Sequence, residues 1–274
     1  MRIWHQSFTD LSAFPRYRET LQAHARAVMS DAEVVVHGLM PGTYGEGVAP
    51  MDVNSHRYLR TLNGRQICNA AVVAQREGYD AFALGCFFDP ALHEARSLVD
   101  IPVVSLAETC MLTACSLGRR FGVISLNAFQ RDLTEDLAAE YGIAGRLAGV
   151  AAMSPPVRLF DLENDSEAAT INARFVEACR ELAARGAEVV IPGDGVLNAF
   201  LVRHRVLHAE DMVVMDPLGV LFQHAAFFAR LRASTGLTVS RRQHYAQPTT
   251  AMLEVAESRL GRRAVREDDF SGRG

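Results

Sequence analysis

Short apolar, β-rich runs along the chain alternate with longer stretches whose apolar residues recur every three or four positions. The runs predict strands over Arg2–Phe8, Glu33–Leu39, Ala81–Phe87, Pro102–Leu106, Arg120–Leu126, Gly149–Met153, Glu188–Pro192 and Met212–Met215. The periodic stretches predict helices over Asp10–Met29, Arg60–Glu77, Asp89–Leu98, Ala107–Leu117, Ala128–Glu140, Ser166–Arg185, Val196–His208 and Leu218–Ser234. Val34-Val35-Val36, Phe82-Ala83-Leu84 and Val189-Val190-Ile191 are continuously apolar. That marks strands covered on both faces, as in a parallel sheet with helices on each side. Gly78 and Gly186 each follow a helix and precede a strand, where a C-terminal glycine cap is expected. The alternation predicts a doubly wound α/β architecture.

The two halves echo each other. Gly78–Cys86, a helix, Pro102–Ser105 and a further helix match Gly186–Asp194, a helix, Met212–Met215 and a further helix, roughly 110 residues on. Cys86 and Asp194 then occupy equivalent strand ends. Ligands of open α/β sheets bind at the carboxyl ends of strands, so two facing copies would place both residues on one cleft.

Composition narrows the function. Hydrophobic residues make up 49% of the 274, enough for a substantial core. With 28 basic against 32 acidic residues and no basic run, capture of nucleic acid or of an anionic membrane is not expected. The longest apolar runs fall far short of the roughly 20 residues needed to span a bilayer. The start, Met1-Arg2-Ile3-Trp4-His5-Gln6, has no apolar signal region. The five cysteines read as free thiols of a soluble, cytoplasmic chain, most naturally an enzyme on a small substrate. No cysteine pair has CxxC spacing, and no nucleotide-binding glycine motif is present. His204 and His208 have the spacing of two ligands on one helix face but lack an HExxH carboxylate, so no metal is assigned.

Cys86, in Gly85-Cys86-Phe87-Phe88-Asp89-Pro90, precedes a predicted helix whose N-terminal N–H groups would favour a thiolate below the usual value of about 8.5. Its other reading is a small buried packing residue. Cys68, Cys110, Cys115 and Cys179 fall within helices and read as packing. Asp194, in Pro192-Gly193-Asp194-Gly195, reads as a helix N-cap, as a carboxylate aimed into the cleft, or as both. Polar turns at Ser7 and Thr9, at Thr43 and Tyr44, and at Asn127 offer hydroxyl and N–H groups for a substrate carboxylate or imide; each is also explained as a turn or cap. The glycine-rich Pro41–Gly47 reads as a lid or as a plain turn.

These residues resemble the aspartate/glutamate racemase superfamily, and within it the hydantoin racemase branch. The resemblance rests on Gly85–Pro90, on Ile101–Glu108 running into Leu117–Ile124, on Glu188–Gly195 and on Val239–Pro248. It implies two pseudo-symmetric lobes, residues 1–106 with 216–274 and residues 107–215, each a parallel sheet flanked by helices, with the active site between them. It also implies a homo-oligomer and no cofactor. Two-base members of the family set one cysteine from each lobe on either side of the substrate's stereocentre. Cys86 matches the first, but Asp194 stands where the second belongs. Phe87, Gly193 and Gly195 join the polar turns as candidate substrate contacts.

That exchange has a cost. With ordinary values of about 3.9 for Asp and 8.5 for Cys, swapping acid and base roles costs roughly 6 kcal/mol unless the site shifts them. The first expectation is a cofactor-independent racemase or isomerase acting next to a carbonyl of a small hydantoin-like or carboxylate substrate, with Cys86 and Asp194 as opposed acid and base. The alternatives are a one-way hydrolase or decarboxylase-like lyase using Cys86, and a two-lobed ligand-binding protein without catalysis.

Overall fold

The computed structural model describes residues 1–209, 211–260 and 266–271. The chain begins β1 (Arg2–Gln6), α1 (Pro15–Val28), β2 (Glu33–His37), α2 (Pro50–Asn54), α3 (Arg57–Arg76), β3 (Ala81–Leu84), α4 (Leu92–Leu98), β4 (Val103–Ser105) and α5 (Leu106–Leu117). The four strands form one parallel sheet in the order β2-β1-β3-β4. There follow β5 (Phe121–Ser125), α6 (Phe129–Glu140), β6 (Leu147–Ala152), α7 (Ala168–Ala184), β7 (Val189–Pro192), α8 (Gly195–Arg203), β8 (His208–Ala209) and β9 (Met212–Val214). Their sheet runs β6-β5-β7-β9-β8 and is parallel except for β8. α9 (Pro217–Thr235) then returns to pack on β3, β4 and α5 of the first sheet. α10 (Thr250–Leu260) and α11 (Asp268–Ser271) end the described chain.

The two sheets share one winding: β2-β1-β3-β4 and β6-β5-β7-β9 have the same order, so β3 corresponds to β7. All four residues of each are buried, as their unbroken apolar sequences predict. α1 shows how a helix seats itself here. Tyr17, Leu21 and Ala25 recur every fourth residue and form its buried stripe.

Several predicted boundaries shift for local reasons. The first helix starts at Pro15, not Asp10, because the Asp10 carboxylate accepts from the Ser12 N–H and from Gly42 N–H and so folds its own turn. The helix after Cys86 starts at Leu92, because Asp89 and Ala91 both have left-handed backbone. α8 ends at Arg203 and His208 lies in β8, so the two histidines do not share a helix face. His204 instead meets Asp165 at 3.0 Å. Among the described residues, no cluster of three His, Cys, Asp or Glu side chains could hold a metal ion, and no helix is long and apolar enough to cross a membrane. β8, α2, α10 and α11 were not predicted.

Candidate active site

Cys86 lies two residues beyond β3. Gly85 N–H donates to the Gln6 carbonyl at 2.8 Å and carries the ladder up to the cysteine. Only glycine fits there, since a Cβ would sit 2.1 Å from His5 Nε2. Beyond the thiol, Asp89 anchors the loop. Its carboxylate accepts from the Ser105 hydroxyl (2.8 Å), the Ala107 and Glu108 N–H groups (3.1 and 2.9 Å) and the Tyr141 hydroxyl (2.6 Å). Ala107 and Glu108 open α5, so one acid caps a helix, and through Tyr141 it also ties the cysteine loop to the second sheet's helices.

Asp194 lies two residues beyond β7, the equivalent position. Its Oδ1 accepts from the Val196 and Leu197 N–H groups at 2.8 and 3.1 Å, the geometry of an N-cap. Oδ2 has no hydrogen bond among the described residues. One oxygen of Asp194 therefore caps α8, and the residue lines a cavity shared with Cys86.

That cavity is about 30 Å³, with room for water but not for a substrate ring. Ser7 and Thr9 line it, beyond the end of β1, and Phe87 and Gly195 join them. Gly193 packs behind: a Cβ there would sit 3.6 Å from the Phe87 ring and 2.8 Å from Val123. Pro50, Met51 and Asn54 of α2 close the cavity on one side and Leu159 on another. Thr43 and Asn127 are not part of the lining. Thr43 caps its own turn on the Met40 carbonyl, and Asn127 accepts from Gln130 N–H at 3.3 Å. Tyr44 sits behind the wall. Its hydroxyl donates to the Phe8 carbonyl at 2.5 Å and accepts from Asn54 Nδ2 at 2.9 Å, fastening α2 over the site. Pro41–Gly47 forms a turn outside the lining, and α2 covers the cavity.

Tyr17 was not anticipated. It lies inside α1, where an apolar stripe reads as packing. Its hydroxyl reaches the cavity, hydrogen-bonded to Ser7 and within the field of both Cys86 and Asp194. Glu163, from the connection after β6, accepts the Arg16 and Tyr17 N–H groups at 2.8 Å each and caps α1 so as to aim it. No local signal in the sequence links Tyr17 to the site.

Burial governs the titration of the two facing groups. It raises Asp194 to about 6, against the pull of the Leu197 and Val196 N–H groups. Burial also pushes the Cys86 thiol well above its usual range; the Phe88 N–H and Arg60 act downward, Asp89 and Asp194 upward. The expected thiolate is therefore not favoured. α4 begins too far along to supply its N-terminus, and desolvation dominates. Cys86 as a residue is nevertheless only partly buried, and it lines the cavity. A larger polar groove along β2 and α11 contains neither Cys86 nor Asp194.

Two wound sheets with a thiol and a carboxyl group meeting from equivalent strand ends define a two-lobed racemase-type α/β protein. Residues 16–225 match the Asp/Glu/Hydantoin racemase family, and the chain belongs to it. It is 34% identical to a hydantoin racemase from Pseudomonas sp. over 119 residues, 43% of this chain and 47% of that one. To a hydantoin racemase from Rhizobium meliloti it is 27% identical over 174 residues, 64% of this chain and 68% of the relative. The matched part thus spans about half to two thirds of these relatives' length. Among solved structures, an allantoin racemase from Klebsiella pneumoniae superimposes with a TM-score of 0.73 over 91% of this chain and 94% of its own, at 24% identity. The family and the two-lobed fold expected from the sequence are met, and the relatives place the chain in a family of isomerases, the racemases.

Proposed function

We propose that the protein racemises a small hydantoin-like or carboxylate compound at the carbon next to its carbonyl, without a cofactor, using Asp194 and Cys86 on opposite faces of the substrate. The observation that carries this reading is the convergence of the two side chains, from equivalent strand ends, on one cavity. In the resting form Asp194 is the carboxylate and Cys86 the thiol. Asp194 takes the α-proton, leaving an enolate, and the thiol returns its own proton to the other face. This leaves a carboxylic acid and a thiolate, which reset when the proton passes from Asp194 to the sulfur through solvent. Thr9 and Gly195, the first residue of α8, line the same cavity and are the groups offered to an enolate oxygen. Substrate access requires α2 to shift, because the cavity does not hold a ring as it stands.

The opposite enantiomer needs the rarer acid/thiolate form of the free enzyme. Two enantiomers have equal free energy, so the mismatch slows both directions alike rather than making racemisation one-way. One-way chemistry by a lyase or hydrolase escapes that cost, and the unequal pair is the observation in favour of this second reading.

Each enantiomer of a 5-substituted hydantoin incubated in D2O separates the readings. Racemisation gives loss of optical activity with deuterium at the stereocentre and no loss of mass from the ring. Release of CO2 or ring opening would instead support the second reading. No turnover of either enantiomer beyond that of Cys86→Ser would leave a binding protein.

A further inference from the structure

A groove of about 350 Å³ runs between α3, α4 and α6 beside the closed cavity. Phe88, a half-buried side chain, belongs to both linings. On the groove side lies Arg60 of α3. It is half-buried, and the one hydrogen bond recorded for it is a long 3.5 Å contact to the Asn54 carbonyl, from the helix that covers the cavity.

Arg60 has no carboxylate within ion-pair distance among the described residues. Burial first, and then the neighbouring Arg57, weigh against its charge. Glu94, Asp136 and Glu140 also line the groove without pairing with Arg60, and Glu140 is held by His93 at 2.8 Å. A guanidinium withdrawn from water without an anion is costly, and arginines so placed are ordinarily paired. Its planar fork fits a carboxylate through two parallel hydrogen bonds.

We propose that Arg60 sets substrate specificity: the reacting ring sits between Cys86 and Asp194, and an acidic substituent passes Phe88 to place its carboxylate on Arg60. This deepens the racemase reading and rests on it. The substrate class becomes hydantoin-like compounds with an anionic side chain.

The test compares 5-(2-carboxyethyl)hydantoin with its neutral isostere 5-(2-carbamoylethyl)hydantoin, in the wild type, Arg60→Met and Arg60→Lys. A charge-assisted pair is worth more than about tenfold in affinity. The wild type should therefore favour the carboxylate by at least about tenfold, mainly in KM. Arg60→Met should abolish the preference, read as the ratio of kcat/KM for the two compounds, and Arg60→Lys should restore part of it. No preference in the wild type, or one unchanged in Arg60→Met, overturns the proposal. So does an equal fall in kcat on both compounds with a displaced alkaline pH limb, since Arg60 would then be acting on the thiol. Calorimetric binding of both compounds to Cys86→Ala reads the same preference without turnover. A preference there in a protein that racemises neither compound sinks the racemase reading alone; racemisation of both without the preference sinks this inference alone.

Discussion

The backbone of Gly195 meets the carbonyl of Gly85 across the interface between the two sheets. A methyl group at Gly195 would lie 3.3 Å from that oxygen and 3.1 Å from the Tyr17 hydroxyl. Cys86 and Asp194 each adjoin one of these glycines, so this contact sets how far apart the two reacting groups stand. Gly195→Ala must push the sheets apart or displace Tyr17 by a few tenths of an ångström. Misplacement of that order is expensive in catalysis. The variant is expected to lose about tenfold or more in kcat/KM while unfolding within a few degrees of the wild type. Chiral chromatography and a thermal melt check both halves.

Asp194 does two jobs that substitution can separate. Asp194→Asn keeps an N-cap for α8 but cannot take a proton, so racemisation should fall by about 10²–10⁴ with little change in stability. Asp194→Cys makes the opposite trade. The cap is lost, costing about 1 kcal/mol, but two thiols now face each other and the mismatch between unlike groups largely disappears. Racemisation should then rise above the wild-type rate despite the weaker fold. A rate no better than that of Asp194→Asn would show that the mismatch is not what limits turnover.

The pH profile follows from the same pair. As the proposed base, Asp194 must be a carboxylate, and burial raises it to about 6, so kcat/KM should climb through about 6 as pH rises. The alkaline fall marks loss of the thiol proton. Because burial raises that group, the fall should lie above the ordinary cysteine range of about 8.5. An acid limb near 4 would mean that Asp194 is better hydrated than its place in the cavity implies.

The loop that carries Cys86 hangs on Asp89, which offers a cleaner mutational test than the thiol itself. Its Oδ2 accepts from Ser105, Glu108 N–H and Tyr141, and an amide nitrogen in that place would face three donors. Asparagine tolerates the left-handed backbone found here (φ 44°), so Asp89→Asn perturbs hydrogen bonding and not the turn. We expect about 2–3 kcal/mol of lost stability by denaturant titration, together with a fall in kcat. Tyr141→Phe removes one of the donors and should cost less.

How much of this was legible in the chain depends on whether the signal was local. β3 and β7 are unbroken apolar runs, and their equivalence shows in the sequence because each is followed by a glycine, a reactive side chain and a helix. Cys86 and Asp194 were readable for that reason. Tyr17 was not, because a tyrosine at helical spacing looks the same whether its hydroxyl ends in packing or in a cavity; only Glu163, far along the chain, fixes which. Thr43 shows the converse: three glycines announce a turn, but nothing local says whether that turn reaches the cavity. The direction of the Cys86 shift was also out of reach. A helix start can be inferred from sequence, but left-handed backbone at Asp89 and Ala91 moves α4 away, and the burial that then decides the shift is a property of the assembled lobes.

The glycine before Cys86 leans on a histidine with no hydrogen bond of its own. His5 is wholly buried, neither ring nitrogen has a partner, and its nearest ring neighbour is Phe222, edge-on at 5.5 Å. Burial first, then His37, holds its pKa down at about 3. The sign follows directly. Above pH 6.5 the ring is neutral in both folded and unfolded chains and costs nothing. Below 6.5 the unfolded chain takes a proton that the folded one refuses, so stability is lost as pH falls toward 3. Asp89 and Asp194 act in the opposite sense: folded values of about 6 let the native state bind protons first, so acidification from about 6 toward 4 favours it. Wild-type stability in this window is a difference between the two effects and is a poor test by itself. His5→Phe isolates one of them. Its offset at neutral pH depends on how the larger ring packs against Gly85, but the change of that offset with pH does not. Relative to the wild type, the variant should gain up to about 1.4 kcal/mol per pH unit below 6.5, as read from urea titrations at a series of pH values. A constant offset between pH 7 and pH 4 would mean that His5 is protonated in the folded protein, and that an acceptor for its proton exists beside the catalytic loop.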